Sequence, residues 1–196
     1  MTQPITVPRS VHPPKMTAAM TPYLAIGLQI PRSLPRLRAG LTCARRKRLS
    51  AGAATALLHD FDYEMPPTLD KHPQDGAPIL REQGYPEELI EAVLSHAEHL
   101  GMPRDTKLKQ TLFACDELAG FVHTCGLVRP DGIETLEPKS VRKKLKQPSF
   151  AAGVHREEVY RGAEELGVEL DDHIRNVVAA MRPIAAELGL RTSAAA

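Results

Sequence analysis

From residue 50 onward, apolar positions recur at intervals of three and four residues, which predicts amphipathic α-helices. The clearest stripe runs through Leu89, Ile90 and Val93, in a segment that Pro86 opens, since proline is favoured in a first helical turn. Gly84 is typical of the residue after a helix end. Helices are predicted over residues 50–58, 75–83, 86–100, 107–127, 140–146, 155–166 and 170–188.

The pattern also indicates where helices are interrupted. Residues 60–73 are expected to be irregular because three prolines in this stretch exclude a continuous helix, and Pro183 should kink or end the last helix. No alternating pattern is long enough to predict a sheet. With 42% hydrophobic and only 4% aromatic residues and no Trp, the core is expected to be mainly Leu, Ala, Val and Ile. The sequence therefore predicts an all-α fold of helices packed on helices.

Charge divides the chain into two parts. Residues 1–59 contain nine Lys or Arg and no Asp or Glu, and seven of the 17 prolines lie in the first 35 positions. We therefore predict a basic, proline-rich N-terminal segment at residues 1–49 and a helical domain at residues 50–190. Its composition favours a disordered or poorly ordered basic arm, and the alternatives are an organellar transit peptide or a wrongly read frame. Its basic run at residues 45–48 is too short to predict nucleic acid as a partner.

The cysteines indicate the redox compartment, and the hydropathy pattern indicates whether the chain could span a membrane. The three cysteines are odd in number and form no CxxC pair, which favours a reduced, cytoplasmic compartment. Cys115 and Cys125 lie in an apolar helical stretch and are expected in the core. No apolar run approaches the length of a membrane span, so we expect no membrane partner.

The candidate chemistry lies in histidines and aspartates on separate predicted elements. His59 and Asp60 end the first apolar helix, His72 precedes the second, and His96 and Asp116 lie within later helices. Adjacent helical residues point about 100° apart, so His59 and Asp60 can reach one ion only from a helix end or an irregular turn. Asp116 lies among apolar residues, and a buried carboxylate needs a cation or several donors. Imidazole and carboxylate together predict a site for Fe, Mn, Mg or Zn.

Four motifs carry a resemblance to a known family. They are Leu57-Leu58-His59-Asp60-Phe61-Asp62-Tyr63-Glu64, His72-Pro73, Leu94-Ser95-His96 and Leu112-Phe113-Ala114-Cys115-Asp116-Glu117-Leu118-Ala119-Gly120-Phe121. With these motifs the chain resembles a bacterial subgroup of the HD superfamily, the HDIG-type hydrolases, over residues 55–182. The resemblance implies an HD-domain helical bundle with one or two divalent ions that hydrolyses a phosphate ester or a nucleotide-type substrate.

The resemblance also implies residue roles. His59, His72 and Asp116 are expected as metal ligands, and Asp60 and His96 as ligands that also take part in catalysis. HD proteins supply a further metal histidine from a helix upstream of His-Asp. The histidine upstream of His59 is His12, which is therefore a candidate metal ligand, although Pro13 and Pro14 follow it and do not belong in the body of a helix. The alternative is a catalytically impaired HD-fold scaffold or regulatory domain with a basic binding arm.

Other residues have weaker assignments. Lys71, Arg104, Arg129 and Lys143 are candidates to bind the substrate phosphate. His99 is a candidate second-metal ligand or proton donor, or an exposed residue, and His123 a candidate core or supporting residue. His155 and His173 are predicted on the surface. The substrate, the ion and the oligomeric state are not predicted by the sequence.

Overall fold

A computed structural model describes residues 50–63, 65 and 69–191, in which all regular secondary structure is helical. Three short 3₁₀ helices, Leu69–Lys71, Glu98–Leu100 and Arg182–Ile184, lie between or after the α-helices. The predicted all-α fold is confirmed, whereas the predicted irregular segment 1–49, with His12 and Cys43, lies outside the described residues. The described residues form seven α-helices: α1 (Ala51–Leu58), α2 (Ala77–Glu82), α3 (Glu87–His96), α4 (Lys107–Leu127), α5 (Pro138–Leu145), α6 (Arg156–Leu166) and α7 (Leu170–Met181).

Local sequence signals set several helix ends. The side chain of Ser50 accepts a hydrogen bond from the Ala53 amide at the start of α1, and Thr106 caps α4 in the same way. Gly84 adopts a φ of 75° after α2, a left-handed conformation that glycine takes without steric cost. These boundaries therefore follow from capping and turn chemistry rather than from distant contacts.

The longest helix, α4, is the centre of the bundle. It packs against α1, α3, α6 and α7, which explains why most of its length is apolar. Cys115 and Cys125 are buried free thiols in this helix, as predicted. Three core clusters lie along the bundle: an N-terminal one around Leu58 and Leu89, a middle one around Leu112, and a C-terminal one around Phe121 and Ile174.

Helix α6 approaches α4 closely because its contact residue has no side chain. A Cβ built on Gly162 would lie 2.6 Å from the Ala114 Cα and 3.3 Å from its Cβ. Real Cβ atoms do not come so near to backbone, so glycine is required at this crossing. The close contact holds α6 against the part of α4 that carries Asp116.

Two predicted helices are too long. The helix predicted to residue 100 ends at His96, because Ala97 adopts an extended conformation before the 3₁₀ turn Glu98–Leu100. The helix predicted to residue 188 ends at Met181, where a 3₁₀ turn containing Pro183 begins, so the prediction that Pro183 ends it is confirmed. The remaining predicted helices differ from the observed ones by two residues or fewer at each end.

No α-helix in the described part of the chain has both the length and the apolar character needed to cross a membrane.

Candidate metal centre

The turn after α1 brings an adjacent His-Asp pair to one point. His59 still has helical dihedrals, and tight turns follow, in which the Phe61 amide donates to the Leu58 carbonyl and the Tyr63 amide to Asp60. The ring of His59 is held by its Nδ1, which lies 2.8 Å from the Ala56 carbonyl oxygen. The predicted helix end therefore lets both side chains face the interior of the bundle.

Two further histidines reach the same point from other elements. His72 lies between the 3₁₀ turn Leu69–Lys71 and α2, and its Nδ1 lies 2.8 Å from Asp62 Oδ1. His96 is the last residue of α3, and its Nδ1 hydrogen-bonds the Val93 carbonyl. With Nδ1 engaged in each ring, the Nε2 atom of each histidine is directed into the site.

The three Nε2 atoms converge on a single carboxylate oxygen. Asp60 Oδ1 lies 3.4 Å from Nε2 of His59, 3.2 Å from that of His72 and 3.6 Å from that of His96. The Nε2 atoms of His72 and His96 are 3.3 Å apart. Asp60, His72 and His96 thus form one compact group of ligand atoms.

Asp116 completes the arrangement from α4. Its Oδ1 lies 3.2 Å from Nε2 of His59, on the opposite side of that ring from Ala56. A salt bridge to Lys109 or Arg129 could also have satisfied the Asp116 carboxylate. Instead, Lys109 pairs with Glu91 and Asp105, and Arg129 with Asp131.

The spacing of these atoms fits a divalent ion. Two ligand atoms at about 2.05 Å from one ion lie about 3.0–3.4 Å from each other, depending on coordination geometry. The separations within Asp60, His72 and His96 are 3.2, 3.3 and 3.6 Å. A donor set of two imidazoles and a carboxylate suits Zn, Mn or Fe. The residues present therefore fit a bound metal ion.

Electrostatics couple the histidines to the carboxylates. Burial by itself would lower the pKa of His59, but Asp60 and Asp116 outweigh it and raise that pKa to about 9. Burial would likewise lower the pKa of His72, and Asp60 with Asp62 raises it to about 9. Burial would raise the pKa of Asp60, yet His59, together with the other two rings, holds it well below its ordinary value. The site thus strongly favours positive charge between these carboxylates.

The site opens on its carboxylate side. The side chains of His59, His72 and His96 are 5–8% exposed, whereas those of Asp60 and Asp116 are 27% and 32% exposed. A small molecule would therefore approach past the two aspartates rather than through the imidazole rings.

Comparison with known proteins agrees with this geometry. Residues 37–120 match the HD domain family. Proteins of the HD superfamily are generally metal-dependent phosphohydrolases, and the match supports placing the chain in that superfamily. No match was found among curated proteins or among solved structures.

The HD-domain match spans all five predicted ligands that the structure describes. The structure brings these ligands together from four elements: the end of α1, the loop before α2, the end of α3 and the middle of α4. The described helices are consistent with an HD-type bundle, whereas the HDIG-type subgroup and a bacterial origin stay predictions. His12 lies outside the described residues, and so its role also stays a prediction. The matched ligands are His59, Asp60, His72, His96 and Asp116.

Both arginines that were predicted to bind phosphate make other contacts in the structure. Arg104 makes a bidentate ion pair with Glu165 and lies 3.7 Å over the ring of Phe113. Arg129 bonds Asp131, as described above, which fixes a turn after α4. Lys71 and Lys143 are exposed, so the structure leaves both predictions standing.

The other described histidines divide between surface and core. His155 and His99 are exposed, the first as predicted. His123 Nε2 lies 3.0 Å from the Leu188 carbonyl, in agreement with a supporting role. The surface prediction for His173 is wrong: it is 1% exposed, and its Nε2 bonds the Ala114 carbonyl across the α4–α7 contact.

Sequence reasoning missed Asp62 as a residue of the site. It appeared only within the motif that carried the resemblance, without a role of its own. The structure places it at 0% exposure, with its carboxylate against His72 and Gly76. A second acidic residue two positions after Asp60, in a stretch that prolines keep irregular, was the available signal.

Proposed function

We propose that this chain is a metal-dependent phosphohydrolase that acts on a phosphate ester or a nucleotide-type substrate. The proposal rests above all on one observation: the Nε2 atoms of His59, His72 and His96 meet at Asp60 Oδ1. A hydrogen-bonded structural cluster would not need three imidazoles directed at one oxygen atom. A divalent ion explains the convergence, because each Nε2 and each carboxylate oxygen is a metal ligand.

The ligand atoms fall into two groups that share Asp60. One group contains His72 and His96, and the other contains His59 and Asp116. This division favours one ion in the first group and room for a second in the other. When bound, such an ion would lower the pKa of a water ligand and polarise the phosphoryl oxygens of the substrate.

The protein groups have separable tasks in this proposal. Asp60 belongs to both ligand groups and is partly exposed, so it lies between the buried imidazoles and an incoming substrate. The hydrogen bonds to Nδ1 of His59 and His96 come from backbone carbonyls and hold each ring in its ligand orientation. Lys71, exposed and adjacent to His72, is the cation we assign to the substrate phosphate.

The direct test is hydrolysis by the full chain with added divalent ions. p-Nitrophenyl phosphate, bis-p-nitrophenyl phosphate and a panel of nucleotides should be assayed with Mn²⁺, Fe²⁺, Mg²⁺ and Zn²⁺. We expect ion-dependent release of product from at least one of them. Asp60→Asn should lower kcat by about 100-fold or more, since metal stabilisation of the transition state contributes several kcal/mol.

Asp105→Asn is the matched control, because Asp105 lies in an exposed loop and pairs with Lys109. It should hydrolyse the substrate at the wild-type rate. Equal activity of the Asp60→Asn and Asp105→Asn variants would refute the assignment. A wild-type chain that binds no ion and hydrolyses nothing would instead support the scaffold alternative.

A further inference from the structure

The carboxylate of Asp62 joins two parts of the chain beneath the candidate metal centre. Its Oδ1 lies 2.8 Å from His72 Nδ1, and its Oδ2 accepts a hydrogen bond of 2.8 Å from the Gly76 amide. The side chain is fully buried, and both of its oxygens are engaged. Asp62 therefore binds protein groups rather than solvent.

We propose that Asp62 is a positioning residue that fixes the ring of His72 as an Nε2 ligand, and that residue 76 must be glycine to leave room for it. This inference rests on the proposed function, because it concerns the ion that His72 would bind.

The need for Asp62 follows from where the three histidines lie. His59 and His96 each hydrogen-bond the carbonyl three residues earlier in their own helix, so helix geometry alone orients them. His72 lies outside the α-helices, and its Nδ1 partner comes from a residue ten positions away. A carboxylate on the far nitrogen fixes ring orientation and raises ligand basicity in metal sites generally.

Gly76 provides the space in which this carboxylate lies. A Cβ at position 76 would lie 2.7 Å from Asp62 Cγ and 2.8 Å from its Oδ2. The ring of Phe61 would also lie 2.8 Å away, so the new methyl group could not turn aside. Gly76→Ala would therefore displace the Asp62 carboxylate without changing its chemistry.

The isosteric substitution Asp62→Asn separates charge and hydrogen bonding from packing. The introduced amide has one acceptor oxygen, while Gly76 N–H and His72 Nδ1–H both require an acceptor. If the amide oxygen accepts from Gly76 N–H, the NH₂ group faces His72 Nδ1. The ring proton must then move to Nε2, where the ion should bind. If the oxygen serves His72, two donors oppose each other in a buried site, which is costly.

The experiment compares ion affinity in the full chain. Binding of Mn²⁺ and Co²⁺ would be measured by titration calorimetry for wild type, Asp62→Asn and Gly76→Ala. The controls are Asp75→Asn, the same change at an exposed aspartate, and Gly153→Ala, where an added Cβ meets nothing within 4 Å. We expect Kd to rise about 10–100-fold in both test variants and to stay at the wild-type value in both controls.

Two readouts distinguish positioning from a general structural effect. The visible absorption of bound Co²⁺ should change in Asp62→Asn and not in Asp75→Asn, because it reports the ligand geometry. In a His72→Ala background, Asp62→Asn should change Kd by less than about twofold, since it acts through a ring that is no longer present. An added loss of about tenfold or more in that background would overturn the proposal.

The outcomes also separate this inference from the proposed function. If wild type binds neither ion, the proposed function fails and this inference fails with it. If wild type binds and both test variants bind equally well, only the positioning role is refuted. If the Asp62→Asn protein does not fold, Gly76→Ala decides: weakened binding supports the proposal, and unchanged binding refutes it.

Discussion

The close crossing of α4 and α6 predicts how much stability the substitution Gly162→Ala should remove. Gly162→Ala would put a Cβ 2.6 Å from the Ala114 Cα, which is backbone and has no rotamer that could relieve the overlap. An ordinary contact needs about 3.5–4.0 Å, so the helices must separate by roughly 1 Å. Overpacking of this kind costs about 1–3 kcal/mol, which corresponds to a fall in Tm of about 3–10 °C for a domain of this size.

Gly120→Ala is the matched control within α4. It is also a helical glycine, but a Cβ there meets nothing within 4 Å. Alanine should therefore stabilise the helix by about 0.5–1 kcal/mol. Chemical denaturation of both variants and wild type provides the measurement. If the two substitutions change the unfolding free energy in the same direction, the argument from close approach at Gly162 is wrong.

The other predictions concern a ligand, a buried imidazole and an arginine. Asp116→Ala should lose bound metal and Asp105→Ala should keep it, and elemental analysis showing equal occupancy would contradict this. Burial lowers the pKa of His173 below 6.5, so the unfolded chain takes up more protons and stability falls as pH drops below about 6.5. His173→Gln should therefore lose less unfolding free energy than wild type between pH 7 and pH 5, and parallel losses would refute the assignment. The free energy of unfolding of Arg104→Lys should fall by about 1–2 kcal/mol in chemical denaturation, because lysine cannot make the bidentate pair with Glu165. The variant should keep its hydrolytic activity. A stable but inactive variant would instead favour a substrate-binding role for Arg104.

Much of the architecture followed from local patterns. Helix α4 was predicted with its observed bounds, because a long apolar stretch lies between a capping Thr106 and the polar loop after Leu127. The convergence of His59, His72, His96 and Asp116 was also expected, because they lie on separate predicted elements and the resemblance implies that they share a metal site. Such predictions succeed where the signal is contained within one helix or one motif.

Contacts between distant residues were not predictable in the same way. The bond from Asp62 to His72 and Gly76 depends on how an irregular, proline-containing segment folds, and no periodicity describes such a segment. His173 was placed on the surface because a single histidine in an amphipathic helix has no signature of burial. Its partner, the Ala114 carbonyl, is visible only once α7 packs on α4.

The end of α3 also differs between the sequence prediction and the structure. Leu100 continues the apolar pattern, so the sequence favours a longer helix, yet Ala97 turns to an extended conformation with ψ of 110°. His96 therefore becomes the last helical residue. Its ring lies beside His72, with the two Nε2 atoms 3.3 Å apart.

Equilibrium dialysis of the full chain against Mn²⁺, followed by elemental analysis, tests the central claim most directly. The convergence of three imidazoles on Asp60 predicts one or two ions per wild-type chain. Asp60→Ala should abolish this binding, because both ligand groups share that carboxylate. A wild-type chain that retains no more Mn²⁺ than the Asp60→Ala variant would contradict the account.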